Sequence, residues 1–144
     1  MSSDKLARAD GVTKSPRQPA ELHHGQLTVA ISNAIVAELA ATTGRGPTQA
    51  RTTMAPDAVF VVVQDSLTRG ERSLVGAGDA EAVLDLRRRW QRVMGNSCTD
   101  KVQELTGRRV IAFMSANHIE PDIAVEVFIL EPLAAPDGHK VGLA

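Results

Sequence analysis

The chain has 144 residues, of which 43% are hydrophobic and 3% aromatic, and its formal net charge is -1. This length predicts one domain, and this composition predicts a core of aliphatic side chains. The balance of 16 basic against 17 acidic residues argues against a general polyanion binder, so we expect no nucleic-acid partner. A lone cysteine excludes an intrachain disulfide and a cysteine-based zinc site, and it fits a cytoplasmic location.

The two ends of the sequence differ in composition from its centre. Residues 1–19 are polar, mixed in charge and punctuated by proline, which predicts a disordered N-terminal tail. Residues 133–144 predict a flexible C-terminal tail, so the single ordered domain is expected over 20–132. No apolar run approaches the ~20 residues of a membrane span, and the start lacks the apolar core of a signal peptide. We therefore expect a soluble, cytoplasmic chain without direct membrane insertion.

An amphipathic helix is predicted over residues 19–43, because apolar residues recur there at steps of three and four. Gly44 stands where a left-handed helix cap is expected, and Pro47 prevents the helix from continuing. Gly44 and Pro47 are therefore predicted to be structural turn residues.

Two strands are predicted next, a short one over 51–54 and a β-branched one over 58–64. The segment 66–75 reads as a loop with one or two helical turns, for which Ser66 and Thr68 are possible N-caps.

A long second helix is predicted from a cap at Asp79 to a C-terminal cap at Gly107. Gly95-Asn96 interrupts it, but the helical spacing resumes in phase, which favours one helix over two. Its predicted apolar positions are Val83, Leu86, Trp90, Val93, Met94, Val102 and Leu105.

The final hairpin is predicted from strands 109–115 and 123–130, joined by the loop 116–122. The element order is then α-β-β-α-β-β. The economical α+β fold for this order is a four-stranded, mainly antiparallel sheet with two main helices packed on one face. Two helices leave much of a largely apolar sheet uncovered, which predicts a homodimer. The strand residues behind this prediction, which show little polar alternation, are Val59, Val61, Val63, Ile123, Val125 and Val127.

The Gly44-Arg45-Gly46-Pro47 turn is a candidate anion site formed by Arg45, Gly46 and Arg51. Glycines free backbone N–H groups, and the two arginines are close in sequence. The turn follows a helix, however, and the partial negative charge of a helix C-terminus disfavours an anion. A helix cap followed by a turn is the simpler interpretation.

The run Arg87-Arg88-Arg89, together with Arg92, is the densest positive cluster. Arg88 and Arg92 share a helix face, while Asp85 can pair with Arg89 one turn away. The simpler interpretation is a solvated helix face with local ion pairs. The alternative is a surface for an acidic protein partner, with candidate residues Arg69, Arg72, Arg88 and Arg92.

No catalytic residue, metal site or cofactor is predicted. His118, Glu120 and Asp122 could make a loose metal site, but a solvated loop explains them more simply. Cys98 lies on the apolar phase of the long helix, which predicts a buried, inert thiol. The remaining acidic residues of interest look isolated, namely Asp57, Asp65 and Glu71.

Several segments together resemble a bacterial family named after MpsC, a small component of a sodium-translocating, membrane-potential-generating system. The resemblance covers about residues 22–131. Its marks are Gly44-Arg45-Gly46-Pro47 after an amphipathic helix, Leu67-Thr68-Arg69-Gly70-Glu71-Arg72 against a family pattern like Leu-Thr-x-x-Glu, the arginine-rich helix, Leu105-Thr106-Gly107 and a closing hairpin. The chain departs from the family at Gly95-Asn96-Ser97, where charged helix formers are usual.

This resemblance implies a cytosolic accessory protein linked to membrane ion or inorganic-carbon uptake, and it supplies no established active site. Our first interpretation is therefore a non-enzymatic accessory or regulatory protein that forms a homodimer and binds a membrane-system protein. The alternatives are a small-anion sensor or enzyme at Arg45 and Arg51, and a nucleic-acid-binding module. Missing nucleophile motifs count against an enzyme, and near-zero charge counts against the nucleic-acid module.

Overall fold

The computed structural model describes residues 23–133. Its elements in chain order are α1 (His24–Thr43), β1 (Gln49–Ala55), β2 (Ala58–Gln64), α2 (Arg69–Gly76), α3 (Ala80–Thr106), β3 (Val110–His118) and β4 (Ile123–Leu130). The predicted tail 1–19 and the predicted helical start at 19–22 lie outside the described residues, as does the tail 133–144 apart from Leu133.

The four strands form one antiparallel sheet in the order β1-β2-β4-β3. The long helices α1 and α3 both pack on one face of it, which confirms the predicted α+β arrangement. The strands alternate between this covered face and the opposite face, as the pleat requires. The buried core joins helix to sheet through Ile31, Ile35, Leu39, Val59, Val61, Val63, Met94, Cys98, Val102, Ala124, Phe128 and Leu130.

The elements differ from the sequence prediction in several places. The first strand begins at Gln49 rather than Arg51, because Gln49 and Ala50 continue the pairing with β2. The third strand reaches His118, since Asn117 and His118 still pair with β4, and this shortens the predicted loop 116–122. The predicted helical turns after residue 66 form the separate helix α2, so there are three helices in residues 23–133.

Helix α3 runs without a break through Gly95-Asn96, which confirms the prediction of one continuous helix. Gly95 has a packing role, because a Cβ atom there would lie 3.2 Å from a ring carbon of Phe113. Glycine thus lets α3 approach β3 closely. The predicted caps are also confirmed, since Gly44 and Gly107 adopt left-handed conformations with φ of 78° and 66°.

Two side chains on α3 lie opposite to their predicted positions. Val93 is 73% exposed, because the buried stripe of α3 passes through Met94 and leaves Val93 about 100° away around the helix. Arg87, which the sequence placed in an exposed cluster, is only 5% exposed because it shares the buried stripe with Val83 and Met94.

Candidate functional site

The interior between α2, α3 and the sheet holds the guanidinium group of Arg87. Its Nε donates to Glu71 Oε2 over 2.7 Å, and its Nη2 donates to Glu71 Oε1 over 2.8 Å and to the Ser66 carbonyl over 2.9 Å. Its Nη1 donates to Ser66 Oγ over 3.0 Å and to Asn117 Oδ1 over 3.3 Å. These five bonds use all five N–H donors of the side chain.

Glu71 is held in place from two sides. At the start of α2, Thr68 Oγ1 accepts from the Glu71 N–H over 3.2 Å, and Glu71 Oε1 accepts from the Thr68 N–H over 2.8 Å. This capping box satisfies two free N–H groups of the helix end. Burial pushes the pKa of Glu71 upward, but hydrogen bonds from Arg87 and Thr68 and the charge of Arg87 outweigh it, so the pKa lies below its ordinary value.

The Gly44–Pro47 turn is fastened to the loop that follows β2. Arg45 Nη1 donates to the carbonyls of Asp65 and Leu67 over 2.8 and 2.7 Å, and Arg45 Nη2 pairs with Asp65 Oδ2 at 2.9 Å. Arg72 forms a second ion pair with Asp65. Asp65 itself has a left-handed backbone, with φ of 56°. The turn therefore ties the end of α1 to the segment before α2.

The predicted anion-site residues do not come together. Arg45 already binds Asp65, whereas Arg51 lies on the exposed side of β1, in a shallow surface depression with Gln49 and Gln64. Gly46 packs against α1, because a Cβ atom added to it would lie 3.4 Å from the Val36 side chain. Anion binding by these residues stays a prediction, and it would require Arg45 to release Asp65.

The acidic residues that looked isolated in sequence each have an arginine partner. Asp65 pairs with Arg45 and Arg72, Glu71 pairs with Arg87, and Asp57 pairs with Arg108 at 2.8 Å. These carboxylates look isolated in the sequence because their arginine partners lie on other elements of the fold or several residues away.

The predicted partner-binding arginines divide into two groups. Arg88 and Arg92 are exposed on α3, form no ion pair within the described range, and border one surface groove with Phe113 of β3. Arg72 binds Asp65 and contacts the Leu67 carbonyl, while Arg69 opens α2. Neighbouring Arg89 pairs with Asp85 at 3.4 Å, as predicted.

The sheet face opposite the helices is covered by no element among residues 23–133. Its centre is formed by apolar side chains from β2, β4 and β3, and Met114 is 52% exposed. By strand register this open sheet face carries Arg51, Thr53, Phe60, Val62, Ala112, Met114, Ala116, Ile123, Val125, Val127 and Ile129, and towards its ends Gln49, Ala55, Ala58, Gln64 and His118. Val59, Val61 and Val63, which the apolar pattern grouped with the residues of β4, point instead into the core.

A second carboxylate is buried near Arg87. Glu126 of β4 is 3% exposed and lies opposite Ser115 of β3. Neither Glu126 Oε2 nor Ser115 Oγ has a hydrogen-bond partner in the part of the chain that the structure describes. Burial raises the pKa of Glu126 to about 7, against the opposing influence of the Ser115 hydroxyl and the Arg87 charge.

Two residues of the possible metal site, His118 and Asp122, form hydrogen bonds with nearby backbone groups. His118 Nδ1 lies 2.8 Å from the Pro121 carbonyl, and Asp122 Oδ2 accepts from the Leu67 N–H over 3.0 Å. Within residues 23–133 no group of three metal-ligating side chains comes together. Cys98 is fully buried, as predicted, and burial followed by the charges of Glu126 and Glu38 raises the pKa of its thiol to about 12.

Sequence reasoning missed Arg87 and Glu126 as interior residues, although each left a signal. Arg87 falls in helical phase with Val83 and Met94, and Glu126 alternates with Ala124 and Phe128 on the inward side of β4. In both cases the spacing indicated a buried side chain, although the residue is charged.

The fold and the site define a small α+β domain whose buried polar residues hold its elements together and whose sheet has one open face. Residues 23–132 match the family model described as the Na+-translocating membrane potential-generating system (MpsC). This match covers well over half of the chain, so the chain belongs to the MpsC family. No curated protein and no solved structure matches it. None of the helices in residues 23–133 has both the length and the apolar character that crossing a membrane requires.

Proposed function

We propose that this chain is a non-enzymatic, cytoplasmic accessory protein of the membrane system that its family description names. In this role it forms a homodimer and binds a protein of that system. The single observation that carries the proposal is the open sheet face, because large exposed apolar patches mark interaction surfaces.

The chemistry of the open sheet face favours a second copy as its occupant. The face has one charged side chain, Arg51, and this lies on the edge strand β1. Two copies related by a two-fold axis can therefore bring Phe60, Val62 and Val125 together without burying charges of like sign at the centre. Packed sheets separated by ~10 Å would then form a sandwich with helices on its outer sides.

The dimensions of the face also suit a dimer. Four strands spaced by ~4.8 Å, with a rise of ~3.4 Å per residue, give the face a plan area of roughly 450 Å². Two copies therefore bury roughly 900 Å² in plan, and the relief of the side chains adds to this. Specific interfaces bury more than about 1,000 Å² in total, so the face is large enough for one.

The hydrogen bonds of Arg87 and Arg45 support the non-enzymatic part of the proposal. All five donors of Arg87 are used to join α3 to α2, to the loop after β2 and to β3. The Arg45 guanidinium likewise joins α1 to the loop after β2. The guanidinium groups of buried Arg87 and half-buried Arg45 therefore act in structure.

Two measurements test the proposal. Light scattering on the full chain at high micromolar concentration should give twice the chain mass of 15.3 kDa. Affinity purification from solubilised native membranes should recover subunits of the sodium-translocating system. A monomer at that concentration would exclude the homodimer, and a purification that recovers none of those subunits would exclude the accessory role.

A further inference from the structure

A narrow cleft opens between the end of α1, α3 and the inner face of the sheet. The single tryptophan of the chain, Trp90, lines it together with Arg87, Gln91, Ser115, Asn117 and Glu126. Its enclosed volume is about 20 Å³, enough to hold about one water molecule. The cleft is therefore polar, small and connected to the single intrinsic fluorophore of the chain.

Glu126 has no direct cationic partner for its charge. The five N–H donors of Arg87 are directed at Glu71, Ser66 and Asn117, so none remains for Glu126. Arg87 and Glu71 already neutralise each other. An ionised Glu126 would thus add an uncompensated negative charge to the interior, which is costly in a region of low polarisability.

The two oxygen atoms without partners are neighbours across the hairpin. Glu126 and Ser115 are paired residues of β4 and β3, and both side chains border the cleft. One hydrogen bond can satisfy both atoms, because the Ser115 hydroxyl accepts from Oε2 when Glu126 is protonated and donates to Oε2 when Glu126 is ionised. The described residues offer no other donor to Oε2.

We propose that Glu126 is a proton-binding site whose proton is shared with Ser115 and leaves through the cleft to bulk water. When the proton leaves, water enters the cleft to solvate the carboxylate, and the contact of α3 with the sheet around Trp90 changes. The packing of this helix on the sheet is thereby linked to pH.

The other titratable groups around the cleft keep their charge near neutral pH. Glu71 on α2, the ion-pair partner of Arg87 on α3, stays ionised because its pKa lies below the ordinary value. Cys98 on α3 stays a neutral thiol, since its pKa is raised to about 12. Glu38 on α1 acts on Cys98 rather than on the cleft. Glu126, with a pKa of about 7, is the group here that titrates in the physiological range.

Trp90 fluorescence measured from pH 5 to pH 9 tests the proposal. The unmodified chain should show a transition with a midpoint near pH 7, and Glu126→Gln should lose it. Glu104→Gln removes an exposed carboxylate from α3, the helix that carries Trp90, and this variant should keep the transition. The three proteins differ only at positions 126 and 104, so the difference between their traces isolates Glu126.

Infrared difference spectroscopy gives a second readout that needs no substitution. The unmodified chain should show the stretch of a protonated carboxyl group at pH 6, and this band should disappear by pH 9. A fluorescence transition that survives in Glu126→Gln would overturn the proposal. So would the absence of the protonated carboxyl band from the unmodified chain at pH 6, whether or not the variant folds.

Discussion

The guanidinium of Arg87 and the carboxylate of Glu71 form a buried, two-pronged ion pair, with Nε–Oε2 at 2.7 Å and Nη2–Oε1 at 2.8 Å. Both side chains are under 7% exposed. The same carboxylate closes the capping box of α2 with Thr68. One residue thus starts a helix and fixes its position against α3, which gives a structural reason for the threonine and glutamate in the Leu67–Arg72 segment.

Removing one partner of this pair should destabilise the chain strongly. Glu71→Ala leaves Arg87 buried without its counter-charge, so we expect a loss of about 3–5 kcal/mol in the free energy of unfolding. Asp85→Ala is the matched control, because its pair with Arg89 is exposed and is worth only about 0–1 kcal/mol. Urea unfolding of both variants measures the difference. Equal, small losses would contradict the structural role of Glu71.

The same pair predicts how stability responds to acid. The pKa of Glu71 is lower in the folded chain than in the unfolded chain, so the unfolded chain binds more protons as the pH falls. The stabilisation by ionised Glu71 is therefore complete above the ordinary pKa of 4.5 and is lost as the pH falls through the folded value. Chemical unfolding from pH 6 to pH 3 should show a smaller loss in Glu71→Gln than in the unmodified chain. Parallel curves would show that another group causes the loss.

Gly44 should be required for its backbone conformation rather than for space. Its φ is 78°, and an added Cβ would meet no atom within 4 Å. Gly44→Ala should therefore cost about 1 kcal/mol through left-handed strain alone. Gly70→Ala is the control, since Gly70 lies in α2 with equally open space, and alanine should be neutral or stabilising there. Thermal melts that shift alike for both variants would refute this explanation.

The exposed arginines of α3 should matter for binding and not for folding. Arg88 and Arg92 contribute no ion pair within residues 23–133, so the double change Arg88→Glu and Arg92→Glu should shift stability by less than about 1 kcal/mol. It should weaken association with an acidic partner, because like charges would then meet at the interface. Comparing the proteins recovered by the variant and by the unmodified chain checks this. Identical recovery would assign the cluster to a solvated helix face.

The sequence predicted those features of the fold that depend on local periodicity and on glycine caps. Gly44, Gly107 and the continuous α3 follow from chain-local signals, and all three are confirmed. The positions of Arg87 and Glu126 depend on contacts between distant elements, and the arginine-rich pattern predicted Arg87 in an exposed cluster. Their spacing along α3 and β4 indicated that both side chains face the core. Whether a charged side chain finds the partners that make its burial tolerable is decided only by tertiary packing.

The candidate site was harder to predict than the fold. Strand alternation located an apolar face, but the face covered by the helices could be assigned only once the register of β2 against β4 was known. The predicted dimer therefore rested both on Val61, which faces the core, and on Val125, which faces away from it. The structure separates them and leaves Val125 on the open sheet face.

The proposed dimer, in which the open sheet face joins two copies of the chain, is tested by one pair of variants. Val62→Lys places a charge on that face, and Val93→Lys makes the same change at an exposed position on α3. The measurement is the mass by sedimentation equilibrium, at a concentration where the unmodified chain is a dimer. We predict that Val62→Lys gives a folded monomer of about the 15.3 kDa chain mass and that Val93→Lys remains dimeric. A dimeric Val62→Lys, or a dimer lost only in Val93→Lys, would contradict the account.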